Sequence, residues 1–270
     1  MTRIFAIILI LLQPICAFAD QPYFDLAGEA DKAIAEDRWG DAEQYLLQAL
    51  RLEPGNPSNV LLMSNLGIVR FHLGQDSLAL ATLNEAHAIA PASVTVLANR
   101  ARILTAIGRE KDAYIDYSHI LSLDSTVIEP RFYHGMIALH SGDIITAETD
   151  FTKLKELSPN AAITAIALAS LYSSTGRYSD AIKQYGILIK HEPTAEYYSG
   201  RAACHLMLQQ LNEASEDIAS GLKLNPDDGE LYLYRAYLNR LRYRNDDSAA
   251  DARKAISLGI DPQRVAALLQ

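Results

Sequence analysis

Apolar and small residues recur with a helical spacing along most of the chain, and short polar breaks divide them into paired segments. The clearest pair lies at residues 195–228, where a polar break at Gln209 and Gln210 separates two segments and Pro226 ends the second. Apolar positions three to four residues apart are typical of a helix with one buried face. We therefore predict a unit of two short helices.

This two-helix unit recurs along the chain at a nearly fixed period. Alanines in the second segment lie 37, 34, 34, 34 and 33 residues apart, at Ala42, Ala79, Ala113, Ala147, Ala181 and Ala214. Glycines lie 34 residues apart at Gly74, Gly108, Gly142 and Gly176. A fixed period between about 20 and 50 residues indicates a stacked-repeat architecture. The pattern predicts seven units, at 23–56, 60–93, 94–127, 128–161, 162–194, 195–228 and 229–262.

Each recurring residue type has a physical role in such a unit. Glycine ends the first helix because it adopts a left-handed backbone at little cost. Alanine lets the two helices approach closely. Proline lacks an amide donor and cannot continue the second helix; it closes units at Pro54, Pro91, Pro159, Pro193 and Pro226.

These positions resemble the consensus of the tetratricopeptide repeat family, a helix–turn–helix unit of about 34 residues. Unit 60–93 carries the resemblance at Leu66, Gly67, Gly74, Ala79 and Pro91. Unit 128–161 carries it at Gly135, Gly142, Ala147, Phe151 and Pro159. The consensus tryptophan is missing from the first helix of every unit. The resemblance implies an all-α fold, a right-handed α-solenoid of about seven helix–turn–helix units over residues 20–262.

A last helix is expected after the repeats. Asp261 and Pro262 suit a helix start, because Asp caps helix N-termini and Pro fits the first turn. Val265, Leu268 and Leu269 give the following segment one apolar side. We predict a short C-terminal capping helix over residues 263–270 that stops further stacking.

The N-terminus departs from the repeat pattern. Arg3 precedes an apolar run at residues 4–12, and the segment ends in Ala17, Phe18 and Ala19. This order is typical of a secretory signal peptide with a small-x-small cleavage site. The run is too short for a typical membrane span. We expect a signal peptide over residues 1–19, cleavage after Ala19, and a mature protein that is periplasmic or secreted.

The charge balance limits the class of partner. The full chain has a net charge of −9, and residues 20–270 retain 23 basic and 33 acidic side chains. Nucleic-acid binding needs a basic footprint, so the acidic balance argues against that class. Removal of residues 1–19 leaves Cys204 as the one cysteine, which excludes an internal disulfide. We interpret Cys204 as a packed thiol.

Three arginine–aspartate pairs repeat with a spacing of 16 residues. Each arginine lies on the first helix of a unit and each aspartate on the second; the pairs are Arg100 with Asp116, Arg201 with Asp217, and Arg235 with Asp251. Antiparallel helices bring such positions together. An active site is normally single, so the recurrence favours structural ion pairs over catalytic acids.

The family resemblance also implies where a partner binds. In this family one face of the first helices forms a concave groove for peptide segments. We selected ten candidate partner-binding residues on that face, namely Asn65, Ile68, His72, Asn99, Arg102, Tyr133, Met136, His140, Tyr234 and Tyr237. Asn65, Asn99 and Arg102 are expected to be polar anchors, and we expect Asn99 and Arg102 to face away from the core.

The remaining candidates have narrower roles. Tyr133 and Met136 are expected to form an apolar patch, since aromatic side chains are common interface anchors. Tyr234 and Tyr237 mark an alternative binding area near the C-terminus. Some family members bind a C-terminal carboxylate through lysines. Glu129 stands at one of the lysine positions and would repel an anion, so that clamp is not carried over.

No pattern for catalysis, a cofactor or a metal is found. The seven histidines form no HExxH pair, and the chain has no CxxC, phosphate loop or GxSxG motif. We predict a non-catalytic scaffold outside the cytoplasm that binds a protein or peptide segment, without a cofactor or metal. Two alternatives stay open: an adaptor for a cell-wall or glycan-processing enzyme, and a self-assembling structural protein.

Overall fold

The structure, a computed structural model, describes residues 21–269. The predicted signal peptide and its cleavage site lie outside the described residues. Fifteen α-helices and no strands are found between residues 21 and 269, so the prediction of an all-α fold is confirmed. Among these helices, none is long and apolar enough to cross a membrane.

The helices follow one another in pairs, and a short turn joins the two helices of each pair. Their bounds are α1 Gln21–Ala35, α2 Trp39–Leu52, α3 Asn59–His72, α4 Asp76–Ile89, α5 Val94–Ala106, α6 Glu110–Leu123, α7 Ile128–His140, α8 Ile144–Leu157, α9 Ala162–Ser174, α10 Tyr178–His191, α11 Ala195–Met207, α12 Leu211–Leu224, α13 Gly229–Leu241, α14 Asn245–Ser257 and α15 Pro262–Leu269. The first helix of each predicted unit is an odd-numbered helix, and five of these helices begin at the first residue of their predicted unit.

The chain divides into two compact units. The first ends at Tyr133 and contains α1–α6 with the first half of α7. The second begins at His134 and contains the remainder of α7 through α15.

A residue with a left-handed backbone ends the first helix of each pair. Four of these residues are the predicted glycines, with φ between 73° at Gly176 and 84° at Gly142. The other three are Asp37, Gln209 and Tyr243, with φ between 55° and 60°. Glycine lacks the Cβ that makes this region unfavourable for other residues, so the three exceptions carry backbone strain.

The core of the first unit includes small and aliphatic residues of α1, α2 and α3. Ala30, Ala42 and Leu46 are fully buried there. Tyr23 is also fully buried, and its hydroxyl donates a 2.9 Å hydrogen bond to Asn59 Oδ1. This bond joins α1 to the start of α3. Burial of apolar surface contributes about 25 cal/mol per Å² to such stacking.

The second unit has a similar core near its C-terminus. Ala202, Ala214 and Leu231 are fully buried between α11, α12 and α13. The final helix packs through Val265, which is 4% exposed, with Leu268 partly buried beside it. The Asp261 carboxylate accepts a 2.9 Å hydrogen bond from the Gln263 amide, as the predicted helix cap requires.

The three predicted ion pairs form within their helix pairs. Arg201 donates to both carboxylate oxygens of Asp217 at 2.9 and 2.7 Å. Equivalent two-bond contacts join Arg100 to Asp116 and Arg235 to Asp251. The aspartates are buried, at 3–7% exposure. The predicted pairing of these residues is therefore confirmed.

A fourth pair was not predicted. His134 Nδ1 lies 2.5 Å from Asp150 Oδ2, and these residues are also 16 apart. A search for the spacing alone, without requiring arginine, would have found it.

Candidate functional site

One repeat position carries polar side chains in four successive first helices of the first unit. Asp31, Asn65, Asn99 and Tyr133 lie on α1, α3, α5 and α7, each 34 residues after the last. We call these four residues the polar row. Neighbouring helices are linked along it: Asn65 Nδ2 donates to Asp31 Oδ1 at 3.4 Å, and Asn99 Nδ2 donates to Ser64 Oγ at 2.9 Å.

Arg102 closes the polar row by pairing with Glu129. Its Nη2 and Nε atoms donate to Glu129 Oε1 at 2.5 and 3.0 Å, and Nη1 lies 3.5 Å from Asn99 Oδ1. Arg102 is 7% exposed and Asn99 is 8% exposed. The prediction that Asn99 and Arg102 face away from the core is therefore wrong. The long Arg102 side chain instead folds onto α7, because Glu129 offers a carboxylate there.

Aromatic contacts complete the polar side of the first unit. The Tyr133 ring stacks on Tyr117 with centroids 5.6 Å apart, and burial raises the pKa of Tyr133. His72 stacks in parallel on Trp39 at 3.9 Å, so its ring covers the start of α2. Ile68 is half-buried. These contacts stabilise the unit whether or not a partner binds.

The second unit contains an open groove between α11, α13 and α15, which we call the C-terminal groove. Its volume is 410 Å³, within the range of about 300–1,000 Å³ that is usual for ligand pockets. Its lining includes Leu206, Met207, Tyr234, Tyr237, Arg264 and Leu268. Two of the ten predicted residues, Tyr234 and Tyr237, therefore lie together here.

One wall of the groove is formed by α11. Ala203 lies in its wall, and Gly200 occupies the same repeat position as Tyr234. The Tyr185 ring fills the space that a side chain at Gly200 would need. The α11 wall that the tyrosines of α13 face therefore consists of Ala203, Leu206 and Met207.

The charged groups of the C-terminal groove neutralise each other. Arg264 on α15 makes two hydrogen bonds with the carboxylate of Glu230 on α13, one of them 2.6 Å long. Burial, together with the nearby Glu230 carboxylate, raises the pKa of Tyr234 to about 12. The phenol thus stays protonated at neutral pH. The groove presents apolar surface with one neutral polar pair at its edge.

Sequence reasoning missed six of the eight residues that line this groove. Ala203 and Met207 lie at the repeat positions used to select the other candidates, so the same rule applied to unit 195–228 would have found them. Arg264 gave no signal, because it lies beyond the repeats. Met136 is half-buried and His140 is exposed; both lie in the second unit, outside the groove lining.

The described residues show no arrangement typical of catalysis. No group of three or more metal-ligating side chains occurs within residues 21–269. Cys204 is buried, and burial raises the pKa of its thiol, which disfavours the nucleophilic thiolate. The ion pairs are spread over several helix pairs. The geometry is suited to binding.

Comparison with known proteins identifies the repeat type. A family model described as "Tetratricopeptide repeat" matches residues 28–94 and 166–217. The crystal structure of a tetratricopeptide repeat protein from Parabacteroides merdae is similar with a TM-score of 0.74 and 27% identity, over 93% of this chain and 98% of that one.

The chain contains tetratricopeptide repeats. The predicted all-α solenoid fold is thereby confirmed, and tetratricopeptide repeats are protein-interaction modules.

Two further similarities are more limited. The repeats are 36% identical to Superkiller complex protein 3 of Mus musculus over 75 residues, which are 27% of this chain and 5% of that protein. The structure of YrrB, described as a tetratricopeptide repeat protein with an unusual peptide-binding site, is similar with a TM-score of 0.56 and 13% identity. That match covers 69% of this chain and 95% of YrrB, and it shows the fold alone.

Proposed function

We propose that this protein is a non-catalytic scaffold that binds a short apolar segment of a partner protein in its C-terminal groove. The observation that carries the proposal is the groove itself, an open 410 Å³ space between three helices of a tetratricopeptide repeat unit. YrrB, which shares the fold, is described as having a peptide-binding site. A scaffold of this kind positions its partner in a complex.

The chemistry of the lining favours an uncharged, apolar occupant. Arg264 and Glu230 satisfy each other, so neither needs a counter-charge from the partner. Met207 is 56% exposed, and methionine adapts its shape to different apolar side chains. Tyr234 and Tyr237 offer large contact areas at a low cost in rotamer entropy.

The test uses peptides selected from a random display library against the mature protein. Selected peptides are titrated by calorimetry into the wild type and into two variants, Met207→Glu and Leu224→Glu. Leu224 is a matched control, because it is 51% exposed in the same unit but outside the groove. We expect enrichment of apolar sequences, and a loss of about tenfold or more in affinity for Met207→Glu alone.

Equal affinity of the selected peptides for both variants would place binding elsewhere and contradict the groove assignment. Light scattering on the wild type and on Met207→Glu tests the self-assembly alternative. A concentration-dependent oligomer that Met207→Glu dissociates would show that the groove holds a second copy of this chain.

We also propose that the mature protein begins at Asp20 and works outside the cytoplasm. Support comes from the sequence pattern of residues 1–19, with its basic start, apolar run and small residues before the cleavage site. N-terminal sequencing of protein from an extracytoplasmic fraction tests this directly. A first residue of Met1, or added lipid mass at Cys16, would contradict it.

A further inference from the structure

The sulfur atoms of the chain differ in their access to solvent. Met207, on α11, is 56% exposed and lies in the lining of the C-terminal groove. Met63 is 7% exposed and Met136 is half-buried. The fourth methionine, Met1, lies outside the described residues. Among residues 21–269, Met207 is therefore the methionine whose thioether a dissolved oxidant reaches most easily.

Cys204 lies three residues before Met207 on the same helix, but its sulfur is shielded. Cys204 is 2% exposed, and its Sγ atom lies 3.4 Å from Ser173 Oγ on α9. Burial also raises the pKa of this thiol, so the reactive thiolate is disfavoured. The oxidation of a cysteine follows its thiolate character and its exposure. The fold thus protects the cysteine and leaves the neighbouring methionine open.

Oxidation of Met207 changes the polarity of the groove lining. A sulfur lone pair of the thioether forms a bond to one oxygen of hydrogen peroxide, the O–O bond breaks, and proton transfer releases the other oxygen as water. The sulfur is oxidised and the peroxide is reduced. The product, methionine sulfoxide, is polar and chiral, and methionine sulfoxide reductases convert it back to methionine.

A sulfoxide oxygen is a poor neighbour for an apolar occupant of the groove. Leu206, Leu268 and the rings of Tyr234 and Tyr237 line this space, and Arg264 already donates to Glu230. In the open groove, water donates hydrogen bonds to the sulfoxide oxygen. An apolar segment displaces that water and offers no donor in its place. Binding would then leave a buried acceptor without a hydrogen bond, which lowers the affinity.

We propose that Met207 is an oxidation site that controls the C-terminal groove: the thioether admits an apolar segment, and the sulfoxide excludes it. This inference rests on the function proposed above and adds a reversible modification to it. More than half of the Met207 surface lies outside the core, so oxidation changes the groove without unfolding the helix pairs.

The first measurement locates the oxidation. The mature protein is treated with increasing amounts of hydrogen peroxide, and peptide mapping by mass spectrometry assigns each added oxygen atom. We expect Met207 to react first, ahead of Met136, Met63 and Cys204. In urea-unfolded protein this preference among the methionines should disappear, because the fold creates it. Oxidation that begins at another sulfur, or a preference for Met207 that persists in urea, would overturn the proposal.

The second measurement follows the groove. The display-selected peptide that binds most tightly is titrated into reduced protein, into protein oxidised at Met207, and into oxidised protein after treatment with a methionine sulfoxide reductase. We expect oxidation to weaken binding by about tenfold, and the reductase to restore it. Met207→Leu has no thioether at this position, so peroxide should leave its own affinity for the peptide unchanged, whatever that affinity is before treatment.

The outcomes separate this inference from the proposed function. Equal affinity of the peptide for reduced and oxidised protein would overturn the switch. A melting temperature that falls together with the affinity would also overturn it, because oxidation would then act through unfolding. If the peptide binds Met207→Glu as tightly as the wild type, the groove assignment fails and the switch fails with it. The order of oxidation still decides in that case whether Met207 is the modification site.

Discussion

The polar row of the first unit and the C-terminal groove of the second use the same repeat position for opposite purposes. Asp31, Asn65 and Asn99 stand at this position in the first unit, and Gly200 and Tyr234 stand there in the second. In the first unit the side chains bond to their neighbours, so the surface is filled. In the second, Tyr234 lines the open groove, while the Tyr185 ring fills the space beside Gly200. Side-chain volume and charge at one position therefore decide what each surface can bind.

The helix framework beneath these two surfaces is the same. Each unit contains bidentate arginine–aspartate pairs between the helices of a pair. The comparison predicts that changes to the framework act equally in both units, whereas changes to the surfaces act differently.

The largest effect is expected for Asp116→Ala and Asp217→Ala. Each change leaves a partly buried arginine without its counter-charge, which costs about 3 kcal/mol of unfolding free energy. Denaturant titration of the two variants should give similar losses, because the pairs have the same geometry in both units. A loss below about 1 kcal/mol, as for a surface ion pair, would contradict the structural role.

The next largest effect separates the two surfaces. Arg102→Ala is expected to cost about 2 kcal/mol of unfolding free energy, because Glu129 and Asn99 lose a buried partner. Tyr237→Ala, on the groove, is expected to lower stability less, since one side of the groove is open to solvent. Thermal melts check the order of the two variants. Equal melting temperatures would mean that the polar row is not a structural network.

A smaller effect is expected at the turns. Both units have glycines at left-handed turn positions, such as Gly108 and Gly142, but the last turn of this kind has Tyr243 at φ 60°. Tyr243→Gly removes about 1–2 kcal/mol of backbone strain and adds about 0.5–1 kcal/mol of chain entropy cost. We expect a net gain of about 0.5–1 kcal/mol by denaturant titration. Gly142→Ala, at the equivalent turn, is the opposite control and should destabilise the protein.

The smallest effect concerns Asp31 and pH. Burial raises the pKa of this carboxyl in the folded state. An Asp in the unfolded chain has a pKa of about 3.9, so above this pH the folded protein holds its Asp31 proton more tightly than the unfolded chain does. Stability therefore falls as pH rises through this range, and the charged carboxylate lowers stability at neutral pH. Asp31→Asn should slightly raise the melting temperature at pH 7, and the difference should shrink toward acid pH. A lower melting temperature at pH 7 would show that the carboxylate stabilises the fold.

The sequence alone was sufficient to predict the repeat, the helix pairs and the framework ion pairs. Val94, Ile128 and Ala162 begin both their predicted units and their helices. Arg201 and Asp217 were expected to pair from their spacing, and they do. These features follow from local rules: helical periodicity, the conformational freedom of glycine, and a register that recurs with each unit. Such rules act within one two-helix repeat, so the amino-acid sequence of that repeat is enough to show them.

The tertiary structure decided which candidate residues are accessible. Arg102 occupies a position that periodicity assigns to the surface, yet it is buried because Glu129, 27 residues later, lies within its reach. Tyr234 and Tyr237 line a groove because side chains of α11 and α15 form its other walls. Periodicity specifies which direction a side chain leaves its helix. Whether that direction meets solvent, an ion-pair partner or an empty space depends on the volume and charge of side chains on other helices, which only the packed structure brings together.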